Sequence, residues 1–240
     1  GQRVGPPGLE VTRTKVGYAI GSFYGYRSDG LFQNQSEING YVNEAGTPIQ
    51  PNAKPGDIRF RDLNGNGLID PNDREIIGDP TPDFTYGLTF NAAYKGFDMV
   101  VLGQGVTGNQ IFNATRRFDL STANYQTSIL GRWTGEGTSN RIPRLTLEDT
   151  NENYNRVSSL FIEDGSYFRI KTLQVGYTLP NRLTQKAGIS KIRFYLMANN
   201  LLTLTKYTGF DPEIGGGSIG IDRGFYPQAR TYFAGINVGF

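Results

Sequence analysis

The sharpest set of candidate ligands in this sequence is the run Asp62-Leu63-Asn64-Gly65-Asn66-Gly67-Leu68-Ile69-Asp70-Pro71-Asn72-Asp73. Asp62, Asn64, Asn66, Asp70 and Asp73 place side-chain oxygens at loop positions one, three, five, nine and twelve. The Leu68 carbonyl falls at position seven, and Gly67 sits at six, where an EF-hand-type loop turns sharply. Ca²⁺ takes about six to eight hard oxygens on a flexible loop, and this spacing wraps them around one point. Two features depart from the EF-hand. Position twelve is Asp, shorter than the usual bidentate Glu, and Ile58 to Arg61 reads as extended where a helix would precede the loop. Three carboxylates without a helix pair suit a structural ion that stiffens a long loop, as in dockerin-like repeats. The competing reading is an Asn/Asp/Gly turn held by side-chain-to-backbone bonds.

Other chemistry has little to work with. The chain has no His and no Cys, which removes most hydrolytic triads, zinc sites and any disulfide framework. Gly103-Gln104-Gly105-Val106-Thr107-Gly108 spells G-x-G-x-x-G, but no βαβ unit surrounds it, so these glycines read as a strand running into a loop. Glu163 and Asp164 are adjacent acids before Gly165. On a strand they would face opposite sides, so they mark a turn rather than a glycosidase pair. The chain reads as a non-enzyme. A net charge of +2 gives no case for nucleic acid. Trp133, Tyr154, Tyr207, Phe210 and Tyr226 lie in long connections, where they either pack loop on loop or stack on sugar rings or a partner. Arg132, Arg141 and Arg144 flank Trp133 as solvating charge.

The elements that would carry these loops alternate with period two. Tyr232, Ala234, Ile236, Val238 and Phe240 share one face against Thr231, Phe233, Gly235, Asn237 and Gly239. Phe84 to Tyr94, Leu173 to Leu179 and Ile192 to Ala198 repeat the pattern. Val16 to Tyr26 and Phe97 to Val106 are weaker candidates, the latter apolar on both faces near Val100 to Leu102. Arg169 and Lys171 share parity with the apolar Leu173 face; they must lie beyond it, or a bulge resets the register. With about six antiparallel strands, the long connections Arg27–Asp83, Gly108–Gly165 and Thr205–Ala229 fall on one side. The tight Lys95-Gly96 turn and the short Pro180–Ser190 link fall on the other, the arrangement of an outer-membrane barrel with long extracellular loops. No apolar run approaches the length of a membrane-spanning helix, and mean hydropathy is −0.42. A barrel strand needs only about ten residues, every second one apolar, so this average is expected of one. Tyr and Phe at the ends of the apolar faces suit a headgroup zone. The start, Gly1 to Gly8, lacks a basic-then-apolar leader, so an export signal is expected elsewhere.

Ordered blocks carry a resemblance beyond these patterns. They are Gly56-Asp57-Ile58-Arg59-Phe60-Arg61-Asp62 entering the calcium-like loop, Ile77-Gly78-Asp79-Pro80, and Pro82-Asp83-Phe84-Thr85-Tyr86-Gly87. Then come Tyr94-Lys95-Gly96-Phe97-Asp98, Arg132-Trp133-Thr134 with Ile142-Pro143-Arg144-Leu145, and Asp164-Gly165-Ser166-Tyr167-Phe168-Arg169-Ile170-Lys171. Ala198-Asn199-Asn200-Leu201 and the terminal Phe240 complete the set. Together they resemble the C-terminal half of the SusC/RagA family of TonB-dependent outer-membrane transporters. The resemblance implies an all-β fold in which residues 1–240 form C-terminal strands of a plugged antiparallel barrel of about 22 strands. It implies a bacterial outer-membrane location, TonB as energy source through an N-terminal part, a SusD-like lipoprotein lid, and glycan or peptide substrates. The calcium-like loop at 62–73 matches a recurrent loop of that family, and Phe240 matches the aromatic signal read by barrel-assembly machinery. Strands with open edges would require the rest of the same barrel, because unpaired backbone in a bilayer costs several kcal/mol per group. The alternative is a soluble β-rich calcium- and carbohydrate-binding module. The two differ in one observable: whether Phe84, Leu88, Phe90, Phe194, Leu196 and Ile236 form an outward belt or pack between two sheets.

Overall fold

The computed structural model describes residues 1–4, 9–116, 125–214 and 219–240. Two stretches inside the expected long connections, 117–124 and 215–218, lie outside the described residues, as do 5–8 near the start. The chain divides into two compact units.

The unit made of Pro82–Asn109, Asp164–Glu213 and Phe225–Phe240 is one antiparallel sheet. Its strands are β1 (Phe84–Tyr94), β2 (Phe97–Thr107), β3 (Tyr167–Thr178), β4 (Lys191–Thr205) and β5 (Thr231–Gly239). Their spatial order is β5-β4-β3-β2-β1, so every neighbour in space is a neighbour along the sheet's own chain order. Lys95 and Gly96 close β1 onto β2 in two residues with φ of +48° and +89°. Both signs match the turn that suits the right-handed twist of a hairpin. Residues 179–190 join β3 to β4 at the same end. The excursions 108–166 and 206–230 both leave and re-enter at the opposite end.

The second unit comprises Gly1–Thr81, Gln110–Glu163 and Ile214–Gly224. Thr12–Arg13, Ser22–Tyr26 and Arg74–Gly78 make one small sheet, and Ser28–Leu31 pairs with Ile58–Phe60. Gln110–Asn113 runs parallel to Ile221–Asp222. Val11, Phe23, Ile77, Phe112, Val157, Phe161 and Ile221 form its main core. A second cluster of Leu31, Ile58 and Phe60 receives Trp133. Polar side chains fill the remaining interior. Asp57, fully buried, accepts from Arg144 Nε at 2.6 Å, Asn153 Nδ2 at 3.0 Å and the Lys54 N–H at 2.8 Å. Gln50 donates to the Ile58 carbonyl and accepts from the Phe60 N–H. Gly56 has φ +89°, and a Cβ there would lie 2.4 Å from the Trp133 ring.

Two expectations change. Val16 to Tyr26 is not one strand: only Ser22–Tyr26 is extended, and it belongs to the small sheet. Val16 is 97% exposed, and Gly17 and Gly21, both at positive φ, turn the chain there. The large sheet therefore has five strands, not about six. Arg27–Asp83 is not a plain loop, because strands, a short helix and buried polar contacts organise it.

Candidate membrane face and calcium-like loop

Register fixes what each face of the large sheet presents. Phe84, Leu88, Phe90, Ala92 and Tyr94 of β1 stand opposite Thr107, Gly103, Val101, Met99 and Phe97 of β2. Val101, Met99 and Phe97 pair with Leu173, Val175 and Tyr177 of β3. These meet Ala198, Leu196 and Phe194 of β4, which meet Tyr232, Ala234 and Ile236 of β5. One face is thus apolar across all five strands. All six residues that separate the two readings are exposed, among them Leu88 at 64%, Leu196 at 67% and Ile236 at 60%. No second sheet covers this face among the described residues of the unit. Phe84 and Tyr94 mark the two ends of β1, and Phe97 packs on Tyr177 at 4.5 Å between ring centroids.

The reverse face is mixed and largely polar. β1 presents Thr85, Thr89 and Asn91, and β5 presents Thr231, Gly235 and Asn237. Val100 and Leu102 of β2 also lie there, so that strand is apolar on both sides, as its sequence indicates. Arg193 of β4 grips Asp98 of β2 with Nε at 2.8 Å and Nη2 at 2.5 Å, bridging over Gly176 of β3. The parity conflict at Arg169 and Lys171 resolves as a bulge. The register shifts between Ile170 and Thr172 against both β2 and β4. Phe168 and Ile170 stay on the apolar side while Arg169 turns to the polar one. There Arg169 is 2% exposed and donates to Thr203 Oγ1, Asp211 and Glu213. A buried guanidinium would be costly without these partners.

The calcium-like loop is folded by its own oxygens. Asp62 accepts from the Gly65 and Gly67 N–H groups at 2.8 and 2.7 Å. Asn64 Oδ1 accepts from Asn66 N–H, and Asn66 Oδ1 from Leu68 N–H, each at 2.9 Å. Asp70 accepts from Asn72 N–H at 2.7 Å and from Asn66 Nδ2 at 3.0 Å. The Asn72 N–H, first among its partners, holds the Asp70 carboxyl below the usual range. Asp73 is fully buried; Oδ1 accepts from Leu63 and Asn64, and Oδ2 from Asp70 N–H. No group of three or more acidic side chains able to hold a metal ion occurs among the described residues. A cation here would therefore draw on the Asn amide oxygens and the Leu68 carbonyl as well as the carboxylates. Ile58–Phe60 before the loop is extended, as its sequence predicts.

Comparison with known proteins adds a separate line. The chain is 38% identical over 236 residues to TonB-dependent receptor P3 of Formosa agariphila, across 94% of this chain and 23% of that receptor. It is 28% identical to TonB-dependent receptor SusC of Bacteroides thetaiotaomicron, across 96% of this chain and 20% of that receptor. Over nearly its whole length the chain is similar to part of such TonB-dependent receptors, SusC among them. Among solved structures, the chain matches the RagAB peptide importer in its open-open state with a TM-score of 0.70 and 25% identity. That match covers all of this chain and 24% of the importer chain. No family model matches the chain. The segment thus spans about a quarter of the length of the relatives it matches. Its location is the bacterial outer membrane, where such receptors are β-barrel proteins. The relatives are receptors and importers rather than enzymes.

The loop aromatics divide. Trp133 packs in the second core with Nε1 donating to Gln33 at 3.3 Å, and Tyr154 and Tyr207 are buried. Phe210 and Tyr226 are exposed. Arg144 is not a solvating charge but the partner of buried Asp57. Sequence reading missed the Arg169–Asp211–Glu213 group. Its one trace was the wrong parity of Arg169.

Proposed function

We propose that this segment is wall and mouth of a TonB-dependent nutrient importer. Its five strands belong to an antiparallel barrel of about 22 strands closed by other parts of the same protein around an N-terminal plug. The apolar face meets lipid and the polar face lines a watery bore. The excursions 108–166 and 206–230 open to the cell exterior, beneath a SusD-like lipoprotein, and TonB supplies energy through the plug. The substrate is a glycan or a peptide; the peptide importer RagAB and the receptor SusC are both among the similar proteins.

One observation carries this reading: a continuous exposed apolar face across five strands whose reverse is polar. Dimensions support it. The eleven residues of β1 extend about 37 Å at ~3.4 Å each. A tilt of about 45° reduces that to about 26 Å, against an apolar band about 25 Å tall in such barrels. The soluble-module reading would need a partner sheet over Leu88, Leu196 and Ile236. The test uses single cysteines in the full-length receptor in its outer membrane, each carrying a nitroxide label. Labels at Leu88, Leu196 and Ile236 should be relaxed by oxygen, which partitions into lipid, and those at Asn91, Gln174 and Asn237 by a water-soluble nickel chelate. The opposite assignment, or equal response on both faces, refutes the reading.

Loop 62–73 is proposed to hold one structural Ca²⁺. Asp62, Asn64, Asn66, the Leu68 carbonyl, Asp70 and Asp73 are the ligand set. The loop's side-chain oxygens already sit against N–H groups two residues on, which fixes their direction. Asp73 Oδ2 accepts only one hydrogen bond within the loop, which leaves it a free lone pair. Bound Ca²⁺ would supply charge neutralisation and stiffness. Calcium added to chelator-stripped receptor should slow amide exchange within 62–73 and raise its melting temperature. Identical exchange with and without Ca²⁺ refutes the site.

A further inference from the structure

We propose that residues 206–213 form a charge-latched strap across the polar face, and that Lys171 and Glu213 set whether the strap is closed. The inference rests on the reading above that this face lines the bore; the strap then narrows the bore at its outer end. The strap begins where β4 ends, with the Tyr207 N–H donating to Thr205 Oγ1 at 3.1 Å. It is pinned at two acids. Asp211 accepts from Arg169 Nη2 at 2.5 Å and from the Gln228 N–H at 2.9 Å, so one carboxylate ties the strap to β3 and to the approach to β5. Glu213 accepts from Arg169 Nη1 at 2.7 Å and from Lys171 Nζ at 2.8 and 3.0 Å, with Gln104 Nε2 of β2 at 3.5 Å.

The pattern distinguishes an anchor from a latch. Arg169 and Asp211 are buried, and together with Thr203 they form the fixed end. Lys171 and Glu213 are 22% and 30% exposed at their side chains, so water and dissolved ions reach this pair. Lys171 is available only because the register shift removes it from regular alternation, and a bulge is a device for re-aiming a side chain. Two cations meet two carboxylates, so the closed strap leaves no net charge on this part of the wall. The strap's exposed large apolar residue is Phe210, next to Asp211. Opening would uncover Lys171 and the Glu213 side of Arg169, a cationic patch suited to a carboxylate.

The experiment again uses the full-length receptor in lipid. A nitroxide at Phe210→Cys and a second at Thr89→Cys, on the polar face of β1, report the strap-to-wall distance by pulsed electron resonance. Wild type should give one narrow distance. Glu213→Gln and Lys171→Met should each broaden it and raise the open population about tenfold, the effect of losing one charge-assisted hydrogen bond. Lys171→Met added to Glu213→Gln should open the strap little further than Glu213→Gln alone, because Lys171 acts through Glu213, whereas independent packing defects would add. Acetate at increasing concentration should open wild type and leave Glu213→Gln unaffected. Unchanged distances in both single variants overturn the latch. A double variant whose open population rises by the product of the two single effects overturns the pairing. Neither result depends on the lipid and water assignment of the faces, which the relaxation experiment above tests by itself.

Discussion

Leu196 and Met197 are adjacent on β4 and point to opposite faces, so a matched pair of arginine substitutions separates the two sides of the wall. Leu196 sits between Val175 and Ala234 near mid-strand and is 67% exposed on the apolar face. Met197 sits between Gln174 and Phe233 on the polar face. An arginine at the middle of a lipid-facing barrel surface costs about 2–4 kcal/mol. Loss of the leucine's transfer into hydrocarbon adds about 1–2 kcal/mol. Leu196→Arg should therefore destabilise the receptor by about 3–6 kcal/mol, two to four powers of ten in its folding equilibrium. Met197→Arg lies on the polar face and should cost under about 1 kcal/mol. Guanidinium-driven folding and unfolding in vesicles, followed by the heat-sensitive gel shift of folded barrels, measures both. A Leu196→Arg cost below about 1 kcal/mol, or a larger cost at Met197, would refute the assignment of faces.

Three other outcomes test the unit of small sheets and its loop. Asp57→Asn should lower stability by about 3–5 kcal/mol, because it leaves the Arg144 guanidinium without its buried charge partner; limited proteolysis of residues 30–60 and calorimetry report it, and a change near zero counts against the network. Gly56→Ala should cost about 1–3 kcal/mol, since φ is +89° and the new methyl meets the Trp133 ring, whereas Gly46→Ala, at positive φ in open space, should cost less. Asp70 has a carboxyl pKa depressed by the Asn72 N–H. Its contribution is therefore present above the unfolded value of about 3.9 and lost as pH falls through the lower folded value. Cleavage of loop 62–73 by pepsin should rise below about pH 4 in wild type, and Asp70→Asn should abolish the rise; identical profiles would exclude Asp70 as its source.

The strands were legible because one physical rule writes them: alternate residues meet different surroundings, and β1, β3, β4 and β5 show it in their letters. The rule failed where its assumption failed. Val16, Tyr18 and Ile20 alternate well, yet Gly17 and Gly21 take positive φ and the chain turns instead of pairing. Arg169 and Lys171 broke parity, and the bulge between Ile170 and Thr172 accounts for both. The unit of small sheets was hidden for a different reason. Its interior is tied by polar partners far apart in sequence, such as Gln50 with Asn151 and the Ile58 N–H with Asn153. Such pairs have no period, so Asn151 and Arg144 look like ordinary loop residues until the fold brings them to Gln50 and Asp57. The loop at 62–73 stood out because its side-chain oxygens bond within the loop itself.

Pairing of Phe112 and Asn113 with Ile221 and Asp222 has a consequence for biogenesis. These partners are separated by more than a hundred residues that include β3 and β4, and Arg223 also donates to the Arg3 carbonyl at 2.6 Å. Val11 and Phe23 cannot complete their core until almost all of this stretch is available to fold. Until then Phe23, Phe112 and Val11 lack the Ile221 that helps bury them. Long-range closure of this kind is slow and leaves greasy surface open to capture. The arrival of Ile221 therefore ends the interval in which that surface is open.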